Sequence, residues 1–417
     1  MVQAHRVVVT GMGVATAIAS DIPTFTQALK NGSCGVSADK ADALGVAARL
    51  GELSFPGCLS GLALSDELLK RARRVGTRQP RSAQAALWTA LEAWASADME
   101  QAGYSSDEVS LVLSGHNIAQ ADQFRAFQKY QERPEYLPAS YALHFMDTNI
   151  LGVISEALGL HGEGFGVGAA SASGNVGLLH GYWQVRYGLC KACIVVAGMA
   201  DLSPVEIQAF RNIGALGGKR FAAEPLEACR PFDEEREGFI YGQGSASLIL
   251  ENAETAAARG AGRWGEIAGG ALCLDGNRLS DPSVEGEARA MRKALGAAGM
   301  TPEDVSYVNA HATSSIIGDQ VEIDALAAVF GSGLARIWVN ATKGLIGHCL
   351  YASGLVEAVA TLIQMREGFL HPNRNLARPI ASPCRFVGAT LQEASCDVAI
   401  NNAFGFGGLN SCIVFRK

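Results

Sequence analysis

Gly166-Val167-Gly168-Ala169-Ala170-Ser171-Ala172-Ser173-Gly174 is a run of tiny side chains that ends an extended segment and opens a helix. Small residues let the backbone turn sharply and approach a bound group closely, and the free N–H groups of a starting helix point at whatever sits there. Such a turn presents one side chain to a pocket, and its middle holds Ser171. Two readings of that serine stand open on local sequence: an N-cap for the helix that follows, or a side chain displayed for chemistry.

The 417 residues around it suffice for two domains or one large duplicated one with a substantial core. Apolar residues make up 48%, charged residues 18%, and there are 48 glycines, a balance that suits a tightly packed α/β enzyme with many strand-to-helix turns. The net charge of −7 argues against a nucleic-acid binder. Of the ten cysteines only Cys190 and Cys193 are closely spaced. With no second pair at zinc spacing they read as buried free thiols, and no metal site is expected. Reduced thiols suit the cytoplasm. Met1 to Arg6 carries no basic stretch followed by an apolar core, and no apolar run approaches the roughly 20 residues that cross a bilayer. A soluble protein with no signal peptide and no membrane association is expected.

Along the chain, Arg6 to Thr10 reads as a buried strand running into Gly11-Met12-Gly13. The helix and acidic residue that a dinucleotide site requires do not follow at the right spacing. Lys70, Arg71, Arg73, Arg74, Arg78 and Arg81 form a basic cluster in an otherwise acidic chain. It is either a solvated helix face or a docking patch for an acidic partner. Residues 116 to 150 are polar and aromatic without a clear period, and read as an insertion that shapes a pocket or a subunit contact. A break falls near Glu254 to Gly262, after which strand and helix alternate in the same order as before. That predicts a duplicated α/β unit, residues 1–254 and 255–417, although no residue-level repeat is visible.

Three more strand-to-loop turns carry candidate chemistry. Tyr307-Val308-Asn309-Ala310 runs into His311-Ala312-Thr313-Ser314-Ser315. Asn340-Ala341-Thr342-Lys343-Gly344-Leu345-Ile346-Gly347-His348 precedes an apolar helix carrying Glu357. The third is Asn401 to Asn410, glycine-rich, with Phe404 and Phe406 placed to wall or gate a pocket. Open α/β sheets put their ligands where strands end. Two neutral imidazoles donating N–H bonds to a carbonyl oxygen would stabilise an enolate by roughly a few kcal/mol per donor in a dry site. That is the chemistry of carbon–carbon condensation or decarboxylation at a thioester.

Together, the Arg6 to Val36 opening, Arg230-Pro231-Phe232-Asp233, Gly238-Phe239, the His311 loop, Lys343 to His348 and Asn402 to Asn410 resemble the β-ketoacyl-[acyl carrier protein] synthases over essentially the whole chain. The resemblance implies the thiolase-like fold, two similar halves in five layers α/β/α/β/α, and a homodimer. It implies a substrate carried on the phosphopantetheine of an acyl carrier protein, with no other cofactor. It puts a nucleophilic cysteine at position 171 and makes His311, His348 and Lys343 the catalytic histidines and lysine. Glu357, Phe404, Phe406, Asn402, Thr313 and Ser315 become supporting and pocket residues. Lys70, Arg71, Arg73 and Arg74 match the surface offered to the carrier protein.

This chain departs from that pattern at the decisive position, where Ser171 replaces the thiol. A helix N-terminus lowers a thiol's pKa into the range where thiolate is abundant, whereas an alcohol stays neutral under the same field. Acyl transfer to the enzyme should be badly impaired and condensation should fail, while loss of carbon dioxide from a malonyl thioester needs no thiol. The chain therefore looks similar to the decarboxylating ketosynthase-like proteins of polyketide β-branching cassettes. Those make acetyl-carrier protein for a hydroxymethylglutaryl-CoA-synthase-like partner. Two alternatives remain at this level: Ser171 as an acyl-transfer nucleophile, and a non-catalytic subunit resembling a chain-length factor. Gln243, Ala312 and Tyr351 stand where the family usually has glutamate, glycine and a small residue, and Tyr351 is expected to narrow the acyl pocket.

Overall fold

The computed structural model describes residues 4–39, 45–51, 55 and 57–417, so that Met1–Gln3 of the N-terminal stretch read above lie outside it. The first half contributes strands β1 (Val7–Thr16), β2 (Val109–Ser114), β3 (Gly164–Val167), β4 (Ala192–Ala197) and β5 (Gly244–Asn252). The second contributes β6 (Gly265–Leu274), β7 (Tyr307–Asn309), β8 (Trp338–Asn340), β9 (Val398–Gly405) and β10 (Leu409–Arg416). Their order in space is β3-β2-β4-β5-β1 and then β6-β10-β9-β7-β8, with Arg385–Phe386 added beyond β8. Each half thus runs first, fifth, fourth, second, third from its inner edge. The senses repeat too: the two innermost pairings are antiparallel and the next two parallel. The halves meet where Val7–Val9 pairs with Gly265–Ile267.

Two helices lie between the halves. Ser353–Glu367 is buried from Ser353 through Met365, and Ser173–Arg186 is buried over most of its length. A helix apolar on every side belongs inside, with a sheet on either face. Leu178, Leu179, Val185, Leu355, Val359 and Ile363 accordingly share one core cluster with strand residues of both halves. A second cluster packs helices Arg81–Ser96 and Thr148–Leu158 on the first half, and a third packs Val284–Ala298 and Ile316–Phe330 on the second. The result is the expected five layers.

Glycines set two close approaches. A Cβ on Gly11 or Gly13 would fall 2.2 and 2.1 Å from the carbonyl oxygens of Ala93 and Thr89, so this pair lets helix Arg81–Ser96 lie on β1. Gly174 and Gly354 open the two central helices, and a Cβ on Gly174 would sit 2.3 Å from the Leu355 nitrogen. The helix N-termini therefore abut. Asn401 of β9 bridges them, donating to Asn175 Oδ1 at 2.8 Å and to the Gly354 carbonyl at 2.9 Å.

Among the described residues no helix is long and apolar enough to cross a membrane. Cys193 is buried but Cys190 is only half-buried, which corrects the expectation of two buried thiols. Helix Gln120–Glu132, in the segment read as an insertion, buries none of its residues.

Candidate active site

The Ser171 turn follows β3, and the Lys343–His348 turn follows β8, so the repeated topology puts both before a central helix. Ala170 takes φ +46°, in the left-handed region, which swings the chain into the helix. The helix cap is Ala172 and makes no side-chain cap bond. Ser173 ties the turn instead, accepting from the Ala169 N–H at 2.8 Å and donating to the Ala170 carbonyl at 2.7 Å. The N-cap reading of Ser171 is thereby excluded, because its hydroxyl faces a cavity.

That cavity, about 430 Å³, is lined by Ser171, His311, His348, Thr313, Ser315, Phe404 and Phe406. Ser171 Oγ lies 2.9 Å from His348 Nε2. The other nitrogen of that ring, Nδ1, receives the Leu350 backbone N–H at 3.3 Å and lies 2.8 Å from Ser353 Oγ. An N–H donor aimed at Nδ1 requires a lone pair there, so the ring proton is on Nε2. His348 donates to Ser171.

The same logic fixes His311. Lys343 Nζ is buried and reaches the His311 carbonyl at 2.5 Å, Glu357 Oε1 at 2.5 Å and His311 Nδ1 at 3.3 Å. An ammonium has only protons to give, so Nδ1 accepts and Nε2 carries the proton. The rings of His311 and His348 stand nearly perpendicular at 5.6 Å between centroids. Burial, reinforced by the Lys343 charge, pushes both imidazoles well below their ordinary value, so both are neutral at physiological pH. Two neutral N–H donors thus line one cavity, and no base reaches the serine hydroxyl through His348.

Lys343 and Glu357 do not line the cavity; they act behind His311. Burial pushes the Glu357 carboxyl up to about 7 against the pull of Lys343. Asn402 is also absent from the cavity wall, a correction to its reading as a pocket residue. Its amide donates to Glu322 Oε1 at 3.1 Å, and Glu322 accepts the N–H groups of His311 and Ala312 at 2.8 and 2.7 Å. Phe404 is buried edge-on to His311 at 5.7 Å, while Phe406 stands at the mouth, 41% exposed and 6.4 Å from the Phe210 ring. Thr313 Oγ1 donates to Ser315 Oγ at 2.9 Å on the wall. Tyr351 and His116 close one side of the same cavity, ring against ring at 5.0 Å. Gln243 is buried away from it, donating to Asp201 and the Tyr241 hydroxyl at 3.2 Å each.

Of the basic cluster, Lys70, Arg73 and Arg74 are exposed on helix Asp66–Gly76, and none lines the cavity. Arg71 is half-buried and donates to the Ala157 carbonyl at 2.7 Å. Glu322, Ser353 and His116 were not foreseen.

Comparison with known proteins gives concordant matches. The Beta-ketoacyl synthase N-terminal domain matches residues 4–256 and the C-terminal domain residues 264–377. The chain is 37% identical over 417 residues to the polyketide biosynthesis malonyl-ACP decarboxylase PksF of Bacillus subtilis, covering 99% of this chain and 96% of the other. In structure it resembles the ishigamide ketosynthase/chain length factor, with TM-score 0.88, 24% identity and 99% of each chain covered. It also resembles a type II polyketide synthase ketosynthase, AntDE, solved with its acyl-carrier protein AntF. There the TM-score is 0.86 and the identity 25%, over 99% of this chain and all of that one.

Proposed function

This chain belongs to the β-ketoacyl synthase family, and from that premise we propose that it decarboxylates malonyl-acyl carrier protein to acetyl-acyl carrier protein. One relationship supports the proposal: Ser171 Oγ lies 2.9 Å from His348 Nε2, and the Leu350 N–H aimed at Nδ1 assigns the ring proton to Nε2, so the hydroxyl faces a donor and not a base. In this reading Ser171 stands in place of the nucleophilic cysteine. A serine attacks a thioester only when a neighbouring base takes its proton.

The two imidazoles retain their use. A malonyl thioester whose carbonyl oxygen accepts from His311 Nε2–H and His348 Nε2–H can lose its terminal carboxylate as carbon dioxide. The electron pair of the broken bond passes to the thioester as an enolate, whose oxygen the two donors hold. Each such donor is worth about 3 kcal/mol to the transition state in a water-excluded site. Phe404 and Phe239 pack against the histidine rings and keep the site apolar. A carboxylate placed against such surfaces loses its hydration, which favours its departure as neutral carbon dioxide.

The substrate reaches the site on the phosphopantetheine of the carrier protein through the mouth beside Phe406, past Thr313 and Ser315. No other cofactor or metal enters the reaction. Lys70, Arg71, Arg73 and Arg74 serve as the carrier-protein surface, and the protein acts as a cytoplasmic homodimer. Its acetyl product feeds a hydroxymethylglutaryl-CoA-synthase-like partner in polyketide β-branching. The deciding experiment is purified protein with malonyl-carrier protein, the mass of the carrier read after minutes. Loss of the mass of one carbon dioxide supports decarboxylation, an acyl adduct on Ser171 supports transfer, and no change supports a non-catalytic subunit.

A further inference from the structure

The enolate left by decarboxylation must take up one proton at its α-carbon, and neither oxygen-holding histidine is free to supply it. His311 and His348 each donate their single ring proton to the substrate oxygen. We propose that His116 is the general acid that protonates the α-carbon, an assignment that rests on the decarboxylase reading above.

The repeated topology makes the placement legible. His311 lies two residues beyond the last residue of β7, the second strand of its half, and His116 lies two residues beyond β2, the second strand of the other half. The fold thus brings an imidazole to the cavity from each half at the same strand end, and both line the cavity. His311 is buried with both its backbone and Nδ1 engaged, whereas the His116 ring is half-buried and makes no hydrogen bond to another described residue. An imidazole held that way can exchange protons with solvent.

Its position is enforced. Gly115 takes φ +118° and Asn117 φ +52°, so the chain turns on both sides of His116. The Asp147 carboxylate pins the turn by accepting the N–H groups of Asn117 and Ile118 at 2.8 and 2.9 Å. The ring sits over Gly168 at the foot of the Ser171 turn, where a Cβ would fall 2.3 Å from His116 Nδ1. On its other side it meets the Tyr351 ring edge-on, and Glu206 and Asp147 are the charges that act on that phenol. Burial pushes the Tyr351 phenol up to about 12, so it stays protonated beside the ring. In a condensing reaction the α-carbon turns toward residue 171 to meet its electrophile. In decarboxylation that direction must offer a proton instead.

The step balances simply. The carbon–carboxylate bond breaks and carbon dioxide leaves. The enolate pair then forms a C–H bond with the proton of the imidazolium of His116, which is left neutral and takes another proton from solvent. The net reaction consumes one proton per carbon dioxide released.

The test compares wild-type protein with His116→Gln and His116→Ala on malonyl-carrier protein, with thermal melting as a check on folding. The expected result is a kcat about 10²-fold lower with KM unchanged in both variants, the size of a lost general acid. Added imidazole should restore a large part of the rate to His116→Ala and none to His116→Gln, whose side chain fills the space. Either folded variant keeping the wild-type kcat, or a folded His116→Ala protein that imidazole does not rescue, overturns the assignment while leaving the decarboxylase reading intact. Wild-type protein that releases no carbon dioxide overturns both.

Discussion

His348 and Ser171 meet at 2.9 Å with the imidazole as donor, because the Leu350 N–H holds the other ring nitrogen as an acceptor. The direction of that hydrogen bond separates an oxyanion site from a nucleophile site. Ser171→Ala should therefore retain decarboxylation of malonyl-carrier protein within an order of magnitude. His348→Ala and His311→Ala should each lower kcat by about 10²-fold or more. Initial rates of carbon dioxide release measure all three, and a dead Ser171→Ala variant that remains folded would point to a covalent serine.

The buried ion pair behind His311 gives a second outcome. Lys343→Met removes the proton source that keeps Nδ1 an acceptor and leaves Glu357 uncompensated in the core. Breaking such a pair on one side destabilises by about 3–5 kcal/mol, whereas an apolar double replacement is often neutral. The double variant Lys343→Met/Glu357→Met should recover the denaturation midpoint without recovering activity. Recovery of both would show that the pair serves only stability.

Ring protonation supplies a third. Burial lowers both imidazoles well below the ordinary histidine value of 6.5, so they stay neutral as the pH falls through the range where free histidine becomes charged. The unfolded chain binds protons there and the folded site does not, so this contribution to stability is present above about pH 6.5 and declines as pH falls below it. Nitrogen NMR of labelled protein at pH 6 should show two Nε2–H neutral tautomers for His311 and His348. Two charged rings at that pH would contradict the donor assignment made from Leu350 and Lys343.

Restoring the thiol gives a fourth. The Nε2–H of His348 cannot take a proton from an alcohol, but it can stabilise a thiolate at the same point. Ser171→Cys should become acylated by short acyl-carrier proteins, seen as added mass on the enzyme. Tyr351 fills one side of the cavity, packed against His116. Longer chains should load only when Tyr351→Gly is combined with Ser171→Cys. Equal loading of long chains by the single variant would mean that Tyr351 does not limit the pocket.

The turns that carry Ser171, His311 and Lys343–His348 were legible in the sequence because each couples a short strand to small residues, whereas the run read as a fourth turn is strand over Asn401–Gly405 and turns only at Phe406–Gly408. The repeat was legible as an order of elements and not as residues, since topology constrains strand sequence and not side-chain identity. Asn402 was misplaced for a reason specific to strands. Asn401 and Asn402 are neighbours in β9, so one faces the central helices through Asn175 and the other faces Glu322 and Met291. A glycine-rich turn nearby gives no clue to that alternation. Glu322 and Ser353 escaped notice although they lie only 11 and 5 residues beyond the histidines they serve, because a polar residue in a helix gives no local sign that its side chain turns back on the preceding loop. The basic run on helix Asp66–Gly76 was legible as charge, but sequence does not say which way a helix face looks.

The contact between Gly174 and Gly354 bears on how the enzyme works over time. With the first turns of both inner helices pressed backbone to backbone, the two halves have no slack to part like a jaw. On the decarboxylase reading, admission and release of the thioester are then governed by side chains at the entrance, the Phe406 ring above all. Turnover should accordingly be insensitive to crosslinks that tie one half to the other, and sensitive to anything that stiffens that doorway.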